Sequence, residues 1–456
     1  MPFESIDPTT GESLTEFAAL DAAAVDDALA AAAAAFAGWR LVPLSERSDA
    51  LRRLAGLLDR GRDAFALLMT REMGKPLGEA RAEIEKCAWV CRYYADEAAA
   101  HLAPEELESS GRACRVEYQP LGAVLAIMPW NFPFWQVIRC AAPTLMAGNV
   151  VLLKHAPNVP QCAVALEGLF GRAGLPSGVF QNLFVEVDDL GRVLDHPIVQ
   201  GASLTGSVGA GSSLAAEAGR RIKTTVLELG GSDPFIVMES ADLDRAVETA
   251  VTARMINNGQ SCIAAKRFIL HEPIADEFEA RFVRSVTDLE VGDPCDESTR
   301  IGPLARRDLR DRLADQVRAS VEAGARVLVG GDVPDEPGWF YAPTVLADIP
   351  EGCPARDDEL FGPVASLFRV ADIDEAISLA NATEFGLSSA IWTRDPDERD
   401  RAIRDLVAGA VFVNGMSASD PRIPFGGVKR SGYGRELGPH ALREFVNVKT
   451  IWLGDE

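Results

Sequence analysis

Lysine is nearly absent. Only seven occur among 456 residues, and arginine supplies the rest of 45 basic side chains against 68 acidic ones. The formal charge is −23. A surface of that sign repels phosphate backbones and anionic lipid, so neither nucleic acid nor membrane is an expected partner. Acid excess with few lysines also suits concentrated salt, and a salt-adapted source is one reading of it. Histidine is scarce too, at five, and none stands in a recognisable motif. The eight cysteines are scattered, with no CxxC and no His/Cys pairing at zinc-finger spacing, so no metal site is expected. In a reducing compartment they stay thiols. Any one of them is by default a small buried hydrophobe.

No apolar run approaches the ~20 residues that cross a bilayer. The start, Met1-Pro2-Phe3-Glu4-Ser5, has neither the basic nor the apolar part of a signal peptide. A cytoplasmic protein is the expectation. The densest simple stretch, Ala22 to Ala37, is broken by Asp26, Asp27 and Phe36. It reads as an alanine-rich amphipathic helix, and no repeat has a fixed period.

What is present points to two domains, since one usually holds ~100–200 residues. The first hundred residues read as helical. Leu51, Leu54, Leu57 and Leu58 recur at helical spacing, as do Ala88, Val90, Cys91 and Tyr94. Alternation at Ala113 to Tyr118, after Ser110-Gly111, signals a hairpin. Short apolar strands then alternate with helices. Strands are predicted at 124–128, 150–153, 179–184, 201–204 and 225–229, with helices over 159–172 and from about Gly209. That pattern means a parallel sheet covered on both faces. After Leu229-Gly230-Gly231 a second series begins: strand 235–238, helix 243–257, strand 267–271, a helix through Phe278 and Phe282, and strand 326–329. The apolar tail (Val448, Ile451, Trp452, Leu453) is an aggregation risk unless paired, which favours an oligomer.

Four segments hold candidate chemistry. Cys262 ends Asn257-Asn258-Gly259-Gln260-Ser261-Cys262, where a helix stops and Gly259 permits a sharp turn. Glu228 sits at the carboxyl end of an apolar strand, where open α/β sheets bind ligands. Asn131, in Pro129-Trp130-Asn131-Phe132-Pro133, shares i, i+4, i+8 spacing with Trp135 and Arg139, so one helix face would hold all three. The turn Thr205-Gly206-Ser207-Val208-Gly209 opens a helix whose N–H groups suit a pyrophosphate. Each segment alone also has a plain structural reading: a packed thiol, a solvated glutamate, a cap beside a snorkelling arginine, and an ordinary turn.

Together, in this order, they resemble the aldehyde dehydrogenase family. Lys154 after Leu152-Leu153, Glu359-Leu360-Phe361-Gly362-Pro363-Val364, and Asn414 ahead of Pro424-Phe425-Gly426-Gly427 extend the resemblance over nearly the whole chain. It implies an α/β fold with two doubly wound parallel-sheet domains and a small β oligomerisation arm. The cofactor-binding domain would be 1–104 and 122–229, the catalytic domain 230–432, and the arm 105–121 and 433–456. A homodimer or homotetramer follows.

The resemblance also implies roles. Cys262 is the nucleophile, Asn131 and the Cys262 backbone N–H hold an oxyanion, and Glu228 is the general base. Trp130, Lys154, Gly206, Ser207, Leu229, Glu359 and Phe361 surround NAD or NADP. Pro157 stands where NAD-strict relatives often carry glutamate, so both cofactors are expected, with a slight lean to NADP. Lys154-His155-Ala156, the run Gln260 to Arg267 and Ser419-Asp420-Pro421-Arg422 look like the succinate-semialdehyde dehydrogenase branch. Arg139 would then meet the far carboxylate, Ser419 add a hydroxyl and Trp135 wall the methylenes. Glutarate semialdehyde is an alternative substrate. A cysteine-dependent hydrolase or acyltransferase is an alternative of another class.

Overall fold

The structure, a computed structural model, describes residues 3–454. It opens with an antiparallel pair, Phe3–Ile6 and Ser13–Phe17, inside the region the sequence marks as helical. Three helices follow: Ala22–Trp39, Leu44–Met73 and Leu77–His101. Leu51, Leu54 and Leu58 are fully buried between them, each contributing about 1.5–3 kcal/mol of burial.

Contrary to expectation, Ala22–Trp39 is long and apolar enough to span a membrane, at 18 residues and a mean hydropathy of 1.2. Alanine accounts for that figure. The larger apolar side chains, Val25, Leu29 and Trp39, are buried in the first core, while Asp26 and Asp27 are exposed. It is the amphipathic cover of a sheet.

That sheet has six strands in the order Gly432–Tyr433, Thr224–Glu228, Val199–Thr205, Ala123–Met128, Val150–His155 and Phe180–Asn182. A second sheet has seven: Arg326–Val329, Thr344–Ala347, Val364–Val370, Ala265–His271, Asp233–Val237, Ser389–Trp392 and Val411–Val413. Both are mixed rather than wholly parallel. Gly432–Tyr433 and Arg326–Val329 are short antiparallel edges. The predicted strands and helices of both series appear within a few residues of their expected bounds.

The arm is a third sheet, in which Val446–Leu453 runs antiparallel to Ala113–Pro120, flanked by Glu105–Glu106. Its C-terminal strand begins at Val446. Residues before that return to the first domain, where Leu437 and Leu442 join the core. The chain thus brings the loop after Pro424 back against Glu228.

Candidate active site

The nucleophile turn is built from left-handed residues. Asn257 (φ 58°), Asn258 (φ 56°) and Gly259 (φ 72°) follow the helix Leu243–Met255. Asparagine tolerates this region because its short amide bonds locally. Asn257 Nδ2 donates to the carbonyls of Asn131 (2.8 Å) and Gln260 (2.9 Å). Asn258 Nδ2 donates to Gly74 and Pro303 carbonyls, at 2.8 and 3.0 Å. Gly259 packs against the Gly362 backbone, where any Cβ would collide. Buried Arg254 locks the two segments together through the carbonyls of Gly259 (2.5 Å) and Gly362 (2.8 Å). Lys266 Nζ then donates to the carbonyls of Ser261 (2.8 Å) and Cys262 (2.7 Å), holding the nucleophile from behind.

A buried glutamate orders the opposite wall. Glu83 Oε1 accepts the N–H groups of Phe134 and Trp135, both at 2.9 Å, and so caps the helix Trp135–Met146. Lys75 pairs with the other oxygen. His155 Nε2 meets the Pro133 carbonyl at 2.9 Å. Asn131 precedes this helix rather than sharing its face with Trp135 and Arg139. Its Nδ2 donates to the Gln260 carbonyl at 3.0 Å.

Two cavities meet at Cys262, which alone among the described residues lines both. The larger, about 540 Å³, is bounded by Trp130, Asn131, Gly206, Ser207, Leu229, Glu359 and Phe361. Trp130 and Phe361 stand edge to face, 5.8 Å apart. Ser207 caps the helix Val208–Arg220, leaving its N-terminal N–H groups at the cavity. Glu359 Oε1 accepts from Gly231 N (3.1 Å) and lies 3.3 Å from Lys266 Nζ. An aromatic slot, a helix N-terminus and a carboxylate acceptor fit a dinucleotide. Lys154 and Pro157 lie outside this lining, so the cavity wall does not include them. Burial holds the Lys154 pKa down, against the nearby charge of Glu186.

The smaller cavity, about 270 Å³, takes in Trp135, Arg139 and Ser419. Arg139 is one of the cations in this wall. Its guanidinium already pairs with Glu436, reaches Thr205 Oγ1 at 3.3 Å and covers the Phe425 ring. Lys86 and Glu436 were missed in the sequence. Glu79, Glu83 and Lys86 all line the cavity at i, i+4, i+7. That charged stripe on a helix otherwise burying Ala, Cys and Val was the available signal. Glu436, in an isolated bridge to Phe425, offered none.

The family model for the aldehyde dehydrogenase family matches residues 1–451. The chain belongs to the aldehyde dehydrogenase family. The protein named succinate-semialdehyde dehydrogenase [NADP(+)] 1 of Mycobacterium tuberculosis is 54% identical over 456 residues, covering 99% of this chain and 100% of that one. The succinate-semialdehyde dehydrogenase [NADP(+)] of Mycobacterium avium is also 54% identical, covering 100% and 97%. The crystal structure of succinic semialdehyde dehydrogenase from Streptococcus pyogenes with NADP+ superposes with a TM-score of 0.97 at 36% identity, covering 99% and 100%.

In this aldehyde dehydrogenase the thiol of Cys262 is pushed up to about 12 by burial, with Lys266 and Arg139 pulling the other way. Glu228 is 2% exposed and lines neither cavity. Its carboxylate turns to Gly426, where an added Cβ would come within 2.7 Å of it. Neither oxygen has a hydrogen-bond partner among the described residues. Burial, then the charge of Glu436, raises its pKa well above the usual carboxylate range. The structure therefore sets Cys262 and Asn131 on one cavity and leaves Glu228 off both linings.

Proposed function

We propose that the chain oxidises succinate semialdehyde to succinate with NADP or NAD as acceptor. The observation that carries this is Cys262 at the junction of a dinucleotide-sized cavity and a smaller one with a hydroxyl and cations in its wall. The printed names of the 54%-identical relatives support the same substrate and NADP.

Cys262 gives its proton to solvent water, and the resulting thiolate sulfur bonds to the aldehyde carbon while the carbonyl electrons move to oxygen. The oxyanion is met by the Cys262 backbone N–H and by the second N–H of Asn131, whose first is held by Gln260. The bound cofactor supplies acceptance of the hydride, with Trp130, Gly206, Ser207, Leu229, Glu359 and Phe361 around it. The thioester left on Cys262 is then hydrolysed. Glu228 turns toward the sulfur and takes a proton from water, the water oxygen bonds to the acyl carbon, and the C–S bond breaks. Trp135 and Ser419 border the chain of the substrate.

We also read the assembly as a homodimer or homotetramer. The arm strand exposes Val448 and Trp452, at 58% and 54%, on a surface suited to another chain.

A cofactor-reduction assay with both dinucleotides tests the reading. Succinate semialdehyde should exceed glutarate semialdehyde and butanal in kcat/KM. Preference for either rival, or turnover without any dinucleotide, overturns it.

A further inference from the structure

The smaller cavity is walled by two cations with different commitments. Arg139 is taken up within the protein by Glu436, Thr205 and Phe425. Among the described residues, Lys86 makes its hydrogen bond and its ring contact with neutral groups, Ser419 and Trp135. Its Nζ donates to Ser419 Oγ at 2.7 Å and lies 4.6 Å from the centre of the Trp135 ring. The carboxylates around it are engaged elsewhere. Glu83 holds Lys75 and two backbone N–H groups. Glu79 accepts the Asn257 N–H at 2.6 Å, and Asp420 pairs with Arg422. An ammonium poised between a hydroxyl and an aromatic face is a ready partner for an anion.

We propose that Lys86, with Ser419, holds the far carboxylate of the aldehyde and sets the enzyme's preference for a charged substrate. Cys262 and Lys86 line one cavity, so an aldehyde bound at the sulfur extends toward the ammonium. Binding exchanges the Ser419 contact for an ion pair, with the hydroxyl turning to donate to the same carboxylate. The inference rests on the substrate reading above.

Burial holds the Lys86 pKa down at about 8, and Arg139 acts in the same direction. Cys87, Glu83 and Asp420 oppose it, and Glu79 and Cys262 also face the cavity. An anionic aldehyde binds the protonated amine. Its KM is therefore flat below that pKa and rises above it, whereas the KM of butanal does not follow Lys86.

The test compares KM for succinate semialdehyde and butanal in Lys86→Met, Lys86→Gln and Lys86→Arg. Met or Gln should raise the KM ratio about 10- to 100-fold, the usual worth of a charge-assisted hydrogen bond, and Arg should recover most of it. In the wild type the ratio should climb between about pH 7 and about pH 9, and in Lys86→Arg it should not. Equal changes for both substrates, or a pH-flat ratio in the wild type, overturn the proposal. If the wild type itself prefers butanal, the substrate reading falls. If it prefers succinate semialdehyde and the variants keep its ratio, the assignment of Lys86 alone falls.

Discussion

Arg139 and Glu436 form a buried ion pair, with side chains 2% and 5% exposed, whose charges both act on Glu228. Removing one partner of such a pair leaves an uncompensated charge, at about 3–5 kcal/mol. Arg139→Ala should lower the urea midpoint and impair succinate semialdehyde and butanal alike. A selective loss on the anionic substrate, without loss of stability, would restore Arg139 to the binding role the sequence suggested.

The same pair tunes Glu228. Glu436 opposes ionisation of Glu228, so neutralising it as Glu436→Gln should let the Glu228 pKa fall. The base is then ionised at lower pH, and the acid limb of kcat against pH should move down. A limb that stays or moves up refutes the coupling.

Glu228→Gln should spare acylation and block hydrolysis. The expected record is a burst of reduced cofactor near one per active site, followed by steady turnover lowered about 10²- to 10⁴-fold. Unchanged steady turnover means another group activates the water.

A thiol with a pKa near 12 is a thiolate only in small fraction at neutral pH. Inactivation of the cofactor-free enzyme by iodoacetamide should quicken about tenfold per pH unit from about pH 7 to about pH 10. Lys266→Met removes a charge that favours the thiolate and should slow it at any fixed pH. A plateau below about pH 8 contradicts this environment.

Pro157 places no carboxylate after Lys154, so NAD and NADP efficiencies should agree within ~100-fold, or ~2.7 kcal/mol. Steady-state kinetics with each dinucleotide settles it. For the arm, light scattering should give two or four chains for the wild type and a single chain for the paired changes Val448→Asp and Trp452→Glu. A wild-type monomer rules the arm out as an interface.

Much of the fold was legible because its signals are local. Leu51, Leu54 and Leu58 announce a helix face, and Gly259 announces the turn before Cys262. The antiparallel edges were not, since Arg326–Val329 and Gly432–Tyr433 take their direction from partners far along the chain. The larger cavity gathers Trp130, Gly206, Ser207, Leu229, Glu359 and Phe361 from separate motifs. The partner of Arg139 was not legible for a reason of range. Glu436 is 297 positions away, in an isolated antiparallel bridge to Phe425 with no periodicity around it, and a side chain's surroundings depend on what folds beside it. Glu228 illustrates the same limit, because a strand-end position does not say which way the carboxylate rotates.

Since Cys262 is the one described residue that borders both chambers, the two reactants proposed above would sit in neighbouring rooms that adjoin at that side chain. A blocker shaped for the narrower chamber would not contend with the dinucleotide, and one designed to straddle both would have to pass directly over the reactive thiol.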